Sequence, residues 1–413
     1  GLYATRRLLY NEHAPGMTMT PAAFQRTSFT WLAYGMLAYF AYMMAVLGPL
    51  MPFLSAELHL NYTQSGYHFS AYAGGVVLTS LYGDRLTERF GRRRLFWFGA
   101  FGMALGGIFL IFGQVIALTV GGAFVMGWLG ALLLIALQAG LADAHSGTHF
   151  ALAVTESNVA ASISASMAPL VIGELQRNGI GWRMAIWVGI LMLTLCAARF
   201  WTQSIPGSGE RVRARERANT TLPGVFWAYS VVIFLGVAVE WSVGFWGADF
   251  LQDAVGFAAA DASSGMTVFF IAAVLGRVLG SRLARRTDVK RLVLGAVALA
   301  AFGFPVFWLA RMPMLNLAGL FIVGVGISNL FPLAVTLAMS VMQGQGNRAS
   351  ARTSLASGSA ILIAPQLLGL IADRSSIASA YGVVAVVLLL VLIATLYANR
   401  QVVERVDAVF AGD

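Results

Sequence analysis

Charged residues are scarce in this chain. They make up 11% of its 413 residues, whereas 58% of the residues are apolar. Soluble domains carry about 25% charged residues, so this composition, with a mean hydropathy of +0.75, excludes an ordinary soluble protein. The apolar residues number about 240, which at about 20 per span is enough for about twelve membrane-spanning helices.

Several kinds of site are also excluded. The single cysteine, Cys196, forms no intramolecular disulfide and no thiolate metal cluster. The phosphate-binding pattern Gly-x-x-x-x-Gly-Lys-Ser/Thr is missing, which disfavours an ATP-driven pump. Asp143, His145 and His149 have the spacing of metal ligands, but the sequence supplies no further ligand beside them. No clustered catalytic constellation is present, so we predict neither an enzyme, nor a cofactor, nor a metal site.

Long apolar runs occupy most of the chain. They are continuous rather than alternating, which favours helices over the strands of a membrane barrel. We predict an all-α membrane protein with twelve transmembrane helices. The predicted spans cover residues 29–54, 66–82, 95–113, 115–139, 150–173, 183–203, 224–247, 264–281, 292–310, 314–342, 353–372 and 380–399.

Basic residues are distributed unevenly among the gaps between these spans. With the N-terminus inside, 21 of the 27 Lys and Arg residues fall on the inner side and four on the outer side. This asymmetry follows the positive-inside rule and predicts cytoplasmic N- and C-termini in a bacterial inner, or plasma, membrane. The pI of about 10.0 therefore reflects topology, and we predict no nucleic-acid partner.

Two short patterns occur twice at nearly the same offset. Gly-x-Arg-Leu-x-x-Arg is found at 83–89 and 280–286, and Ala-Pro followed by Gly is found at 168–173 and 364–369. Both pairs relate span n to span n+6, which predicts two six-helix halves of one orientation. The predicted units are a cytoplasmic N-terminal segment 1–28, the half 29–203, a cytoplasmic linker 204–223, the half 224–399 and a cytoplasmic tail 400–413.

The turn after the second span reads Glu88, Arg89, Phe90, Gly91, Arg92, Arg93. This turn, with the doubled architecture of residues 29–399, resembles the major facilitator superfamily of secondary transporters. It departs from the family pattern in having Glu for the usual Asp, and Asp84 where the family has its leading Gly. The resemblance implies a cytoplasmic gating turn whose acid meets the start of helix 11. Its residues would be Asp84, Arg85, Glu88, Arg89, Gly91, Arg92 and Arg93.

A weaker resemblance involves the seventh and tenth spans. Gly236, Glu240, Gly244 and Trp246, together with Ser328, Asn329, Phe331 and Pro332, are similar to the matching helices of fucose-permease-type sugar–proton symporters. That branch has acids in its first and fourth helices. Here the first span has no acid and the fourth offers only Gln138, so any proton coupling must use other residues.

An ionisable residue inside a membrane span costs free energy, so we treat each one as a candidate functional residue. Glu156, about six residues into the fifth span, is a candidate for proton coupling or, alternatively, for a permanent pair with an Arg. Arg352 occupies the equivalent position of the second half. It would either approach Glu156 beside the cavity or meet Asp84 or Glu88 as part of the gate.

Further candidates are expected near mid-membrane. Glu240 beside Trp241 suits a polyol or an organic cation, although interfacial positions are the alternative for both. Asn329 with Pro332 predicts a locally broken helix whose freed backbone lines a cavity, and Asn158 is a similar candidate. We expect Asp249 and Asp253, near the outer loop, to be solvated.

These features predict a secondary active transporter that moves a small organic solute by alternating access. Proton coupling is the preferred mechanism, with a sugar-like substrate. The alternative is a drug or metabolite efflux antiporter, and from another class a non-transporting solute receptor. The expected partners are the small-molecule substrate, protons and the lipid bilayer, and the expected state is a monomer.

Overall fold

The structure is a computed structural model that describes residues 24–207, 223–342 and 346–410, without the side chains of residues 84, 346–348, 350, 351 and 402–410. Within these ranges the chain forms α-helices and one π-helical segment, and no strands. The N-terminal half contains α1 (Ser28–Val46), α2 (Met51–Leu58), α3 (Tyr62–Phe90), α4 (Arg92–Phe112), α5 (Ile116–Ala144), α6 (Gly147–Arg177) and α7 (Arg183–Phe200). The C-terminal half contains α8 (Gly224–Phe250), the π segment (Leu251–Val255), α9 (Ala259–Leu283), α10 (Val289–Leu309), α11 (Pro313–Ile327), α12 (Leu330–Ser340), α13 (Gly346–Arg374) and α14 (Ile377–Phe410).

The predicted helical membrane architecture is confirmed. In the described ranges, eleven helical segments are long and apolar enough to cross a membrane. The remaining predicted span corresponds to α3, which has 29 residues but is not among those eleven segments. The crossing of α3, and with it the count of twelve, stays a prediction.

Two predicted spans are interrupted. The first is split into α1 and α2 by a turn at 47–50, a break that we did not predict. Pro49 explains it, because its ring would clash with the carbonyl four residues earlier and it has no amide hydrogen to donate. The tenth span is split into α11 and α12 at Ser328 and Asn329, and this predicted break is confirmed.

Neighbouring helices pack closely where glycines face each other. A Cβ atom on Gly106 of α4 would lie 2.5 Å from the carbonyl oxygen of Gly122 in α5, and the reverse distance is 2.7 Å. Membrane helices associate through van der Waals contact rather than through exclusion of water, so small residues that admit a neighbouring backbone stabilise the pair. Any larger residue at Gly106 or Gly122 would separate α4 from α5.

Long-range polar contacts assign the loops to two ends of the molecule. Arg92 at the start of α4 pairs with Asp143 at the end of α5 and donates to the carbonyl of Pro206. In the other half, the Asn399 amide lies 3.3 Å from the Lys290 carbonyl oxygen. We call this the basic end, since the Arg-rich turns at 91–94 and 282–291 lie there. The other end, where Arg183 binds the carbonyl of Ile111 at 2.8 Å, carries the loops around 59–61, 178–182 and 256–258.

The two halves meet along two helix pairs, α3 with α13 and α6 with α9. Both repeated glycines lie in these contacts. A Cβ atom on Gly173 would lie 2.5 Å from the carbonyl oxygen of Ala260 in α9, and one on Gly369 would lie 2.7 Å from that of Tyr62 in α3. The equivalent residues of the repeat thus have equivalent roles, since each admits a helix of the opposite half.

Candidate functional site

A cavity of about 310 Å³ lies between the two halves. Residues from α1, α5 and α6 form one wall, and residues from α8 and α9 form the other. The volume falls at the lower end of the range for ligand pockets, about 300–1,000 Å³. Most lining side chains are apolar or aromatic, among them Leu37, Phe40, Met44, Leu134, Leu137, Trp241, Phe245, Phe269, Phe270 and Val274. The polar lining residues are Gln138, Ser157, Asn158, Ser162, Glu240 and Arg277.

Aromatic and backbone contacts between the halves close the cavity on one side. The rings of Phe69 in α3 and Phe245 in α8 stack with centroids 4.2 Å apart. A Cβ atom on Gly48 would lie 2.5 Å from the carbonyl oxygen of Gly244 and 3.0 Å from the Cα of Phe245. The backbones of the first and seventh spans therefore touch here, and no solute passes while they do.

Polar contacts reinforce this closure farther from the cavity. Asp373 of α13 accepts hydrogen bonds from the amides of Tyr62 and Thr63, both at 2.8 Å, and so caps the N-terminus of α3 from the other half. The hydroxyl of Tyr62 donates to Asp253 at 2.7 Å, and Arg177 pairs with Asp261 at 2.6 Å. An anion at a helix N-terminus is favoured by the helix dipole. We call this the closed end.

The opposite side of the cavity is open. Arg277 lies within the apolar helix α9, yet its side chain is 53% exposed, and Arg352 near the start of α13 is also exposed. The cavity lining reaches Leu141 at the end of α5 and Val154 near the start of α6. Among the described residues the cavity is therefore accessible from the basic end.

Glu240 and Arg277 form an ion pair on the wall of this cavity, with Oε1 and Nη2 3.5 Å apart. Glu240 is the less accessible partner, since its side chain is 22% exposed. The sequence analysis did not single out Arg277, which lies near the end of the predicted span 264–281. The rule that ionisable residues within spans are functional candidates would have found it.

Trp241 and Asn158, two further predicted site residues, also line the cavity. Trp241 contacts Phe245 edge-on with centroids 4.9 Å apart. The amide nitrogen of Asn158 donates to the carbonyl of Val154 at 2.8 Å, one turn earlier in α6. This leaves the amide oxygen and the second N–H of Asn158 available to a solute.

Glu156 lies one residue from the cavity lining but outside it. Its two carboxylate oxygens accept hydrogen bonds from Arg26 at 2.7 and 2.5 Å, and Oε2 also accepts one from the hydroxyl of Tyr34 at 2.7 Å. The hydrogen bonds that Arg26 donates to Glu156 raise the pKa of Arg26 above its usual value. The partner of Glu156 in this conformation is therefore Arg26, as in the alternative of a helix-joining ion pair, and not Arg352.

Asn329 lies at the helix break but does not line the cavity. It is 9% exposed, and its amide donates to the carbonyl of Gly276 in α9 at 2.8 Å. A side-chain hydrogen bond at the break thus joins the tenth span to the eighth.

The residues predicted to form a gating turn connect α3 to α4 at the basic end. Gly91 has φ of +80° with open space around it, so glycine is needed there for its backbone conformation rather than for its size. Arg93 donates to the carbonyl of Trp201 at 2.8 Å. The guanidinium groups of Arg85 and Arg89 lie 6.0 and 5.4 Å from the ring centroids of Tyr82 and Phe90. The side chain of Asp84 lies outside the described residues, so its predicted contact with helix 11 stays a prediction, as does that of Glu88.

Two expectations outside the cavity need correction or completion. Asp249 is not solvated: it is 4% exposed, because the end of α8 is enclosed by other helices before the chain reaches the loop. Asp143, with the metal-like spacing, pairs with Arg92, and His145 shares a hydrogen bond of 2.8 Å with the hydroxyl of Thr30. Among the described residues no group of three or more His, Cys, Asp or Glu side chains has the geometry of a metal site.

Comparison with known proteins is decisive for the family. The model of the Major Facilitator Superfamily matches residues 31–365 and, in a second match, 250–410. The chain belongs to this superfamily. It is 26% identical over 377 residues to an uncharacterised MFS-type transporter of Yersinia pestis, covering 88% of this chain and 92% of that one. It is 24% identical over 323 residues to the multidrug resistance protein MdtL of Shewanella oneidensis, covering 74% and 79%.

The fold agrees with solved structures of the superfamily. A bacterial homologue of the human lysosomal transporter Spinster, in an inward-facing and unoccupied conformation, superposes with a TM-score of 0.75. The alignment covers 92% of this chain and 98% of that one at 12% identity. This likeness establishes a shared fold. The kind of solute has to be inferred from the cavity of this chain.

Proposed function

We propose that this chain is a secondary active transporter that moves a small amphiphilic organic solute by alternating access, with Glu240 as the coupling group. The observation that carries the proposal is the cavity between the halves, whose walls are mainly apolar and aromatic and hold the Glu240–Arg277 ion pair. Such walls bind the apolar body of a solute through the hydrophobic effect, while the ion pair binds its charged or polar group.

The chemistry of the lining favours this solute over a sugar. A sugar presents several hydroxyl groups, and each loses water on binding and needs a partner. Two of the neutral polar lining residues already use a donor within α6, since both Ser157 and Asn158 bond to the carbonyl of Val154. The similarity to a multidrug resistance protein also supports efflux of an amphiphilic solute over uptake of a sugar.

The ion pair provides a mechanism of coupling. Either a proton or a cationic group of the solute neutralises Glu240, and each releases Arg277 from it. The carboxylate of Glu240 is neutralised either by the proton or by the cationic solute, but not by both at once. Proton and solute therefore replace each other on Glu240, and this exchange is antiport. Neutralising Glu240 leaves Arg277 without its counter-charge on the cavity wall, and so favours a different arrangement of the two halves.

The orientation of the chain belongs to this proposal. The basic end would face the cytoplasm by the positive-inside rule, and the cavity, which opens to that end, would then face inward. Glu156 would act at the mouth of the cavity by holding α1 to α6 through Arg26, rather than by carrying protons. The protein would work as a monomer, since both walls of the cavity belong to one chain.

The test uses purified protein in liposomes with an imposed pH gradient. A lipophilic cationic dye should move against its gradient, and Glu240→Gln should lower the initial rate at least ~10-fold, equal to about 1.4 kcal/mol. The matched control is Glu57→Gln, because Glu57 lies at the closed end and pairs with Arg183 outside the cavity. A rate that is unchanged in Glu240→Gln would contradict the assignment of Glu240.

A ligand panel separates the remaining alternatives. Melting temperature is measured at pH 5.5 and 7.5 with sugars, organic acids and lipophilic cations, since a ligand at about 100 times its Kd stabilises by about 2.7 kcal/mol. Stabilisation by a sugar, lost in Glu156→Gln, would overturn the amphiphile proposal in favour of sugar–proton symport. Stabilisation without any flux in liposomes would identify a non-transporting receptor.

A further inference from the structure

A second cavity, of about 380 Å³, lies at the closed end. Residues of both halves line it, and it shares no described lining residue with the cavity of the proposed transport site. From the N-terminal half come Pro52, Ser55, Ala56, Leu60, Asn61, Tyr62 and Ser65; from the C-terminal half come Asp249, Gln252, Asp253 and Asp373. We call it the interhalf pocket. Its contents would be in contact with both halves whenever the closed end is shut.

The charge of the interhalf pocket has one sign. Three aspartates line it, and among its described lining residues there is no Lys or Arg. Asp253 and Asp373 are exposed at its mouth, whereas Asp249 is 4% exposed. The two exposed carboxylates therefore place negative charge at the mouth of the pocket, where it attracts a cation, and the carboxyl group of Asp249 lies deeper inside.

The hydrogen bonding identifies the acceptors that are left for a ligand. Asp373 uses both of its oxygens on the backbone amides of Tyr62 and Thr63, and Asp253 accepts from the hydroxyl of Tyr62. In contrast, Oδ2 of Asp249 and Oε1 of Gln252 are buried without any hydrogen-bond partner among the described residues. A buried oxygen atom that accepts no hydrogen bond lowers the stability of the fold. A ligand that donates hydrogen bonds to these two oxygens would remove this cost.

Size and geometry select the kind of cation. A volume of 380 Å³ is far larger than one ion and lies in the range of pockets for small organic ligands. The described side chains offer no cluster of three or more His, Cys, Asp or Glu residues with metal-site geometry. Tyr62 also lines the pocket, and an aromatic ring attracts an organic cation through its face.

We propose that the interhalf pocket binds a small primary ammonium ion whose N–H groups donate to Asp249 and Gln252. A ligand that contacts both halves binds the shut arrangement better than the opened one, so it shifts the population toward closure of this end. The proposal does not depend on the transported solute, because binding to this pocket is measured without flux.

The experiment measures binding to the purified full-length chain by calorimetry at pH 7.5 and constant ionic strength. The probes are propylammonium, tetramethylammonium, which has charge but no N–H donor, and propionate. Propylammonium should bind saturably and more tightly than the other two, and Asp249→Asn should raise its Kd at least ~10-fold. Glu57→Gln is the matched acid control at the same end, and Glu240→Gln separates this pocket from the cavity between the halves. Both should retain propylammonium binding.

Each other outcome overturns the proposal. Absence of propylammonium binding would do so, as would equal binding of tetramethylammonium, since donors would then be irrelevant. Loss of binding in Glu240→Gln with retention in Asp249→Asn would move the ligand to the other cavity. A stability that depends on pH and Asp249 but not on amines would show that Asp249 binds a proton instead of an ammonium ion. If Asp249→Asn does not fold, Gln252→Leu and the exposed Asp253→Asn serve instead, and normal binding in both would refute the site.

Discussion

At the scale of single residues, the structure assigns partners to the ionisable groups inside the helices. Glu156 is held by Arg26 and Tyr34, and Glu240 by Arg277. Both acids were expected to be functional because of their position. Only Glu240 faces the cavity, and this difference follows from the rotation of each helix about its axis.

The first prediction concerns Tyr34, which is 7% exposed and donates to Glu156. Tyr34→Phe removes a hydrogen bond to a charged group, which contributes about 1.5–3 kcal/mol. We expect a lower melting temperature in detergent, measured by intrinsic fluorescence. Tyr67→Phe is the control, because Tyr67 is 46% exposed and should leave the melting temperature unchanged. Equal melting of Tyr34→Phe and the wild type would refute a stabilising role for this bond.

The second prediction concerns the pH dependence of stability through His145, in the turn between α5 and α6. Burial first, and then the nearby His149, lower the pKa of His145 below 6.5. The unfolded chain therefore binds more protons than the folded one as pH falls below about 6.5, and stability decreases with decreasing pH. His145→Gln, which keeps a hydrogen-bonding group near Thr30, should reduce the loss of melting temperature between pH 7.5 and 5.5. An unchanged loss would mean that His145 does not contribute to it.

At the scale of helices, the closed end depends on glycines that let backbones of opposite halves touch. Gly48, Gly173 and Gly369 all lie in such contacts, in the first, fifth and eleventh spans. At Gly48 and Gly173 the nearest atoms to an added Cβ all belong to the opposite half, whereas at Gly369 they include Trp246 of its own half as well as Tyr62. The size of Gly48 and Gly173 therefore affects the balance between conformations more than the packing of either half.

The third prediction follows for Gly48→Ala. A methyl group would lie 2.5 Å from the carbonyl oxygen of Gly244, so the substitution should favour opening of the closed end. Spin labels at Asn178→Cys and Ser375→Cys, in a Cys196→Ser background, report the separation of the halves by double electron–electron resonance. We expect a new population at longer distance. Gly121→Ala is the control, since nothing lies within 4 Å of its added atom. A distribution identical to that of the control would contradict this account of closure.

At the scale of the whole molecule, the gathering of basic residues at one end predicts which side that end faces. By the positive-inside rule we expect the basic end to lie in the cytoplasm. The fourth prediction uses a membrane-impermeant maleimide on intact cells that express single-cysteine variants in a Cys196→Ser background. Ser375→Cys, at the closed end, should react, whereas Thr287→Cys, at the basic end, should react only after the cells are opened. The reverse pattern would invert the topology and turn the cavity outward.

Much of the architecture was predictable from local patterns. The helices follow from apolar runs of the length a bilayer requires, and the break in the tenth span was signalled by Asn329 and Pro332. The Ala-Pro-Gly repeat correctly marked two equivalent positions, Gly173 and Gly369, which the structure places in equivalent contacts between halves. Pro49 is also present in the sequence, but the apolar run continues on both sides of it. We therefore predicted a single uninterrupted span there.

The sequence alone determined that this protein is a helical membrane protein with its basic residues on alternate loops, because apolar length and charge asymmetry act through the bilayer and need no partner. The tertiary structure decided which ionisable groups meet. Pairs such as Glu240 with Arg277, or Tyr62 with Asp253 and Asp373, join residues far apart in the chain, and their approach depends on helix rotation and tilt. The same dependence explains why Asp249, read as a loop residue, lies buried in a pocket between the two halves.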